Sequence, residues 1–224
     1  MGYTTLKAKS FHRAQPALAL VLLALAGCSS AGSGGGANDT EAGGATVAGA
    51  QPTAGFEGAL LPAGLPVHEF TLTDPRGRRV SLRVERGRVT ILAFLYARSR
   101  ATAPLIAQQV RGALDELGSE SRPPVPALAV SVDPAGDTPA RVRAFRRETA
   151  LTGRLRYLTG SPAELRAVWR AYGVTPASAG PAAYERAAFV LLLDRRGAAR
   201  VELPLEQLTP EALAHDVRGL ERLQ

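Results

Sequence analysis

Ser99 and Ala103 lie four residues apart in "FLYARSRATAP" (94–104), between an apolar run and a segment with the pattern of a helix. The end of a buried strand beside a helix N-terminus is a frequent location for functional groups in α/β proteins. A serine becomes a nucleophile when a neighbouring base activates it, but no recognisable motif places a histidine or an aspartate near Ser99. Alanine carries no reactive group. The segment has the placement of an active loop without an evident reactive residue, and hydrolase chemistry is not expected.

Two carboxylates, Asp133 and Asp137, fall within "SVDPAGDTP" (131–139) and are a second candidate for chemistry. Paired carboxylates can act as general acid and base. The local sequence favours another role, because Asp and Gly build turns and Thr138 followed by Pro139 is typical of a helix N-terminus. We expect the two aspartates to shape this turn and to prepare the helix cap.

Cys28 is the only cysteine of the chain. Three basic residues precede the apolar run "PALALVLLALAG" (16–27), as in a secretory signal, and the run is shorter than a membrane-spanning helix requires. The segment "LAGC" (25–28) resembles the bacterial lipobox, in which the cysteine is lipidated and becomes the mature N-terminus. This resemblance implies a signal peptide at 1–27, a fatty acyl chain such as palmitate on Cys28, and an extracytoplasmic protein anchored to the cell membrane. The alternative is an ordinary signal whose cleavage site adjoins a cysteine.

A lipidated Cys28 would leave the folded part of the chain without a thiol. Disulfides, thiolate metal ligands and cysteine nucleophiles would then be excluded from it. The three histidines are His12, His68 and His215, and none has a second metal ligand near in sequence. His68 is the best of the three candidates for a ligand. The formal net charge is +7, but the basic residues are scattered among acids rather than clustered with aromatics, so no nucleic-acid partner is expected.

The remaining sequence divides into a tether and one domain. Residues 28–55 are rich in Gly, Ala and Ser without apolar periodicity, which predicts a flexible tether. Residues 56–224 contain a hairpin over 68–84, apolar runs typical of buried strands, and three helices that open on a hydroxyl residue followed by proline. The helical stripes include Leu105 and Leu223. Buried strands that alternate with helices predict an α/β fold of the thioredoxin-like kind, with a mixed central sheet flanked by helices and an N-terminal β-hairpin.

Five segments occur in an order that resembles the Sco/SenC family: "FTLTDPRGRRVSL", "SVDPAGDTP", "LTGSP", "YGV" and "AAFVLLLDRRG". The resemblance covers Val67 to Leu220. It implies a thioredoxin fold and membership of a group of membrane-attached copper chaperones or thiol reductants. It also implies a link to assembly of the copper centre of cytochrome c oxidase.

The family's chemistry resides in a Cys-x3-Cys loop and in a histidine just before a late core strand. On this sequence the two cysteine positions correspond to Ser99 and Ala103, and the histidine position corresponds to Arg186. Copper(I) is a soft cation that two thiolates and an imidazole suit, whereas a guanidinium repels it. The resemblance is therefore to a degenerate member. No cofactor is expected, although copper is the metal of the family.

Three readings of the function stay open. The first is a non-catalytic binding or accessory factor of the envelope, in which Arg98, Arg100 and Arg186 accept an anion or an acidic partner segment beside a helix N-terminus. An alternative of at least equal weight is that these arginines bind nothing, because selection on the loop has lapsed. The second function is a copper chaperone or thiol-disulfide oxidoreductase that uses unidentified ligands or a thiol of a partner. A domain kept as a structural spacer is a third reading.

Overall fold

The apolar runs of the sequence form neighbouring strands of one sheet. The computed structural model describes residues 55–118 and 123–223, so the expected signal peptide, Cys28 and the tether lie outside the described residues. The strands, in chain order, are β1 (Ala59–Leu60), β2 (Thr71–Thr73), β3 (Arg79–Ser81), β4 (Thr90–Leu95), β5 (Ala127–Ser131), β6 (Leu155–Leu158), β7 (Phe189–Leu193) and β8 (Ala199–Pro204). β2 and β3 form the separate hairpin, and the other six form a sheet in the order β1-β8-β7-β4-β5-β6.

The sheet is mixed, as predicted. β4 pairs in parallel with β5, and β5 with β6, whereas β7 runs antiparallel to both β4 and β8. Every residue of β4 and β5 is buried, which explains why their sequences are continuous apolar runs rather than alternating ones. Parallel strands place their carboxyl ends at one edge, so the end of β4 at Leu95 lies beside the end of β5 at Ser131.

Five helices cover the sheet: α1 (Thr102–Leu117), α2 (Pro139–Glu148), α3 (Pro162–Ala171), α4 (Pro181–Arg186) and α5 (Pro210–Arg222). The predicted openings of α2, α3 and α5 are confirmed, because the side chains of Thr138, Ser161 and Thr209 each accept a backbone hydrogen bond at the N-cap. Ser161 also forms the predicted capping box with Glu164. No helix within the described ranges is long and apolar enough to cross a bilayer.

The hairpin differs from its prediction in the second strand. β3 ends at Ser81, and residues Leu82–Glu85 form a 3-10 helix because the Ser81 hydroxyl accepts a hydrogen bond from the backbone N–H of Arg83. Val84, which the alternating pattern placed on the strand, is consequently 61% exposed.

Two predicted core positions are also wrong, and two elements were not predicted. Leu105 is 41% exposed, because it lies two residues from the buried Ala103 and Ala107 and therefore on the opposite face of α1. Leu223 is 64% exposed and lies just beyond the last residue of α5. β1 and the short α4 escaped prediction, since two residues and six residues are too few to show a period.

Candidate functional site

The loop between β4 and α1 carries the residues that the sequence singles out, and Asp137 holds its backbone. The backbone N–H of Ala97 donates to Asp137 Oδ1 at 2.7 Å. The hydroxyls of Ser131 and Tyr157 lie 2.6 Å and 2.7 Å from the other carboxylate oxygen. Asp137 is only 4% exposed, and burial raises the pKa of its carboxyl above the ordinary value despite these hydrogen bonds. The loop is thus fixed to β5 and β6 through one buried carboxyl group.

Ser99 is used by the helix that follows it. Its hydroxyl accepts a hydrogen bond from the backbone N–H of Ala103 at 3.1 Å, and its own N–H donates to the carbonyl of Tyr96. Ser99 is 8% exposed and Ala103 is fully buried. The serine oxygen therefore satisfies one of the N–H groups that the first turn of α1 leaves unpaired. No histidine or carboxylate of the described ranges hydrogen-bonds to Ser99, so its hydroxyl has no activating base.

Arg98 forms an ion pair across the loop. Its Nε donates to Asp133 Oδ2 at 2.7 Å, and Asp133 Oδ1 accepts from the backbone N–H of Gly136. A Cβ at Gly136 would lie 2.1 Å from Asp133 Oδ2 and 2.6 Å from Arg98 Nε, so the pair requires a glycine there. Asp133 therefore occupies the Nε of Arg98, and an external anion would use the other N–H groups of the guanidinium.

Arg100 and Arg186 are both exposed, and neither forms an ion pair with another residue of the described ranges. Arg186 is the last residue of α4, which Tyr184 attaches to the end of β4. The Tyr184 hydroxyl donates to the carbonyl of Phe94 at 2.8 Å, and its ring packs edge-on against Tyr96 at 5.0 Å. α4 is therefore placed beside the loop, while the grouping of the three arginines stays a prediction.

The turn at 133–137 has the predicted structural role. The backbone N–H groups of Gly136 and Asp137 both donate to the carbonyl of Asp133, and Thr138 caps α2. The two carboxylates have separate partners: Arg98 binds Asp133, whereas Ser131, Tyr157 and the loop backbone bind Asp137. Sequence reasoning missed that Asp137 positions the loop, because the contact joins residues 40 positions apart.

His68 packs against Tyr172. The two rings are 5.6 Å apart and edge-on, and the Tyr172 hydroxyl donates to the carbonyl of His68. Both residues line a cavity of about 350 Å³ together with Glu69 and Glu164, but Glu164 is bound by Arg79 and by its own capping box. Over residues 55–118 and 123–223, no three His, Cys, Asp or Glu side chains come close enough to hold a metal ion.

His215 lies on α5 beside a second buried carboxylate. Its Nδ1 is 3.0 Å from Asp216 Oδ1. Asp216 is fully buried and accepts hydrogen bonds from the backbone N–H groups of Glu57 and Gly58, both at 2.8 Å. The carboxylate fastens the start of the domain to α5, which gives this part of the molecule a structural role.

Known proteins resemble the chain over the whole of this architecture. A family model described as SCO1/SenC matches residues 62–221. The curated protein "Protein SCO1 homolog 1, mitochondrial" of Arabidopsis thaliana is 32% identical over 105 residues, which are 47% of this chain and 31% of the relative. The match thus spans about a third of that relative's length.

Two solved structures give the same result. Yeast Sco1 has a TM-score of 0.62 at 18% identity, covering 73% of this chain and 98% of that one. Bradyrhizobium japonicum ScoI, solved with copper bound, has a TM-score of 0.55 at 27% identity, covering 68% and 98%. These likenesses confirm the thioredoxin-like fold. Since the family model extends over most of the described domain, the chain belongs to the SCO1/SenC family.

Proposed function

We propose that this protein is a lipid-anchored, extracytoplasmic accessory factor for assembly of the copper centre of cytochrome c oxidase, and that it acts by binding a partner rather than by carrying copper itself. Family membership supports the link to the oxidase, and the lipobox-like segment that ends in Cys28 supports the anchor. The non-catalytic part of the proposal rests on the loop between β4 and α1.

One observation carries that part: the positions where the family resemblance expects two thiolates hold Ser99 and Ala103, and both side chains are used by the fold. The Ser99 oxygen accepts the N–H of Ala103, and the Ala103 methyl group is buried in the core. A hydroxyl is a poor ligand for the soft copper(I) ion, and a methyl group is none. The donor set present does not fit copper.

The exposed arginines of this region supply a binding surface instead. Arg98 lies on the loop and holds Asp133 with one face of its guanidinium, and Arg100 and Arg186 present theirs to solvent. Guanidinium groups bind carboxylates in a bidentate manner, so an acidic segment of an assembly partner suits this surface. Alanine at all three positions should abolish the protection that such an anion gives against thermal unfolding.

The test is an anaerobic copper(I) titration against a chromogenic chelator. The full chain and its Cys28→Ser variant should leave the metal with the chelator. The Cys28→Ser chain that also carries Ser99→Cys, Ala103→Cys and Arg186→His should take about one equivalent of copper(I) from the chelator. Cys28→Ser is needed as a background because that residue is the only thiol of the chain.

Stoichiometric copper(I) on the Cys28→Ser chain would overturn the proposal and favour a chaperone with other ligands, for which His68→Ala is the next variant.

The oxidase link has its own test. Deleting the gene should lower the copper content and activity of cytochrome c oxidase, and the chain with Ser99 and Ala103 unchanged should restore both. Failure of restoration by the unchanged chain would contradict the accessory role.

A further inference from the structure

A second basic region lies between the β2–β3 turn, α2 and β6. A cavity of about 460 Å³ opens there, within the range of small-molecule sites. Six arginines line it: Arg76, Arg78, Arg143, Arg146, Arg147 and Arg156. One carboxylate, Asp74, is the only acidic side chain among the lining residues.

Most of this positive charge is not neutralised within the described ranges. Arg78 pairs with Asp74, and Arg156 pairs with the buried Glu85. Arg76, Arg143, Arg146 and Arg147 form no ion pair with any residue of 55–118 or 123–223. Four like charges around one concavity repel each other, so the arrangement is stabilised when an anion enters it.

Arg146 adds a partly buried charge to the cavity. Its Nε is buried and forms no hydrogen bond among the described residues, but the Nε of Arg200, which does not line this cavity, is in the same state. An atom that is enclosed when no ligand is present cannot contact one, so it is the charge of Arg146 that an anion in the cavity would balance. Burial lowers the pKa of this guanidinium, the nearby charge of Arg76 lowers it further and the carboxylate of Asp74 raises it, yet an arginine stays charged in a protein.

The helix alone does not account for the cluster. Cations in the last turn of a helix interact favourably with its dipole, which explains Arg146 and Arg147 at the end of α2. Arg143 lies one turn earlier, and Arg76 comes from the hairpin turn on the other wall. The cavity brings the four together from two separate elements.

From these observations we infer that the cavity binds a multivalent oxyanion of the phosphate type. The planar guanidinium matches two oxygens of a phosphate at once, and a doubly charged group compensates several arginines from one position. A concave site of this size takes a phosphorylated small molecule or a phospholipid headgroup, rather than the flat face of a protein. The inference is independent of the role proposed for the loop at Ser99.

Two matched double variants test the site. Arg143→Gln with Arg147→Gln removes two charges from the cavity. Arg166→Gln with Arg170→Gln removes two charges from the fifth and ninth residues of α3, the same helical positions that Arg143 and Arg147 hold in α2. All four side chains are exposed, so both variants should fold, which a thermal melt verifies.

The full chain is titrated calorimetrically with inorganic phosphate and with pyrophosphate at constant ionic strength. The cavity variant should bind at least tenfold more weakly than the parent, and the α3 variant should stay within twofold. In a second arm, binding to vesicles that contain phosphatidic acid, whose phosphomonoester can carry two charges, is compared between the two variants, which share the same N-terminal segment. A cavity-specific loss in the first arm identifies a soluble phosphate, and a loss confined to the second identifies a headgroup. Equal behaviour of the two variants in both arms would overturn the inference.

Discussion

The hydroxyl of Tyr157 lies 2.7 Å from Asp137 Oδ2 and 3.0 Å from the carbonyl oxygen of Leu95, inside the domain. A hydroxyl has one proton and cannot donate to both acceptors at once. A protonated Asp137 resolves this conflict, because it can donate to Tyr157 while Tyr157 donates to Leu95. Burial, which raises the pKa of Asp137, favours the same protonated form. The support of the site loop thus depends on a carboxyl group whose protonated form is favoured by burial.

Replacing Asp137 by alanine should destabilise the domain strongly. The N–H of Ala97 and the hydroxyl of Ser131 would lose their buried partner, and each unsatisfied buried group costs about 1–3 kcal/mol. We expect the free energy of unfolding to fall by about 3 kcal/mol in urea titrations.

The matched control for this change is Asp115→Ala. Asp115 pairs with Arg154 on the surface and its side chain is 61% exposed, so its loss should cost less than about 1 kcal/mol. Equal losses for the two variants would mean that the contacts of Asp137 contribute nothing beyond an ordinary surface ion pair.

The raised pKa of Asp137 gives a prediction for pH. The folded chain keeps this proton to a higher pH than the unfolded chain, whose value is near 3.8. The group's contribution to stability is therefore complete below about pH 3.8 and declines as the pH rises through the folded pKa. In Asp137→Asn this titration is absent, and the other carboxyl groups are shared by both chains. The unfolding free energy of the parent minus that of the variant should fall from pH 4 to pH 7, because only the parent loses the contribution of a protonated Asp137. A signed value that stays constant or rises would contradict the raised pKa.

Much of the fold could be predicted because its signals are local. The apolar runs of β4 and β5 are continuous since both faces of these strands are covered, and the caps Thr138, Ser161 and Thr209 act within three residues. These features depend on neighbours in sequence. They predict strands, helix starts and the mixed sheet without knowledge of the tertiary contacts.

The rest depends on contacts between distant residues. Asp137 binds the N–H of Ala97, 40 residues away, and no local pattern shows that the turn reaches the loop. Glu85 is buried because Arg156, 71 residues later, lies beside it. The exposed Leu105 is a miss of another kind, because it lies two residues from the buried Ala103 and Ala107 and so on the opposite face of α1. The helical spacing itself, applied strictly, excludes it from the apolar stripe.

Ser99 stands where the family resemblance expects the first cysteine, and removing its hydroxyl tests whether this side chain now stabilises the fold. Ser99→Ala leaves the buried N–H of Ala103 without its acceptor, and an unsatisfied buried donor costs about 1–3 kcal/mol. Ser178→Ala is the control, because Ser178 is exposed and should be neutral within about 0.5 kcal/mol. Urea titrations of both variants measure the difference. If Ser99→Ala were as neutral as the control, the hydroxyl would be free for another role and the proposed loss of chemistry at this position would be weakened.

The proposed anchor depends on a single atom, the sulfur of Cys28, which lies outside the described residues. Cys28→Ala removes the acceptor for lipid, so cells fed an alkyne-labelled palmitate should no longer label the protein. Ser29→Ala keeps the thiol and should label like the parent. Because one apolar segment of 12 residues is too short to span a bilayer, the unlabelled variant should also shift from the membrane fraction toward the soluble one. Label that persists in Cys28→Ala would place the lipid elsewhere, and would return Cys28 to consideration as the one thiol available to the protein for copper or redox chemistry.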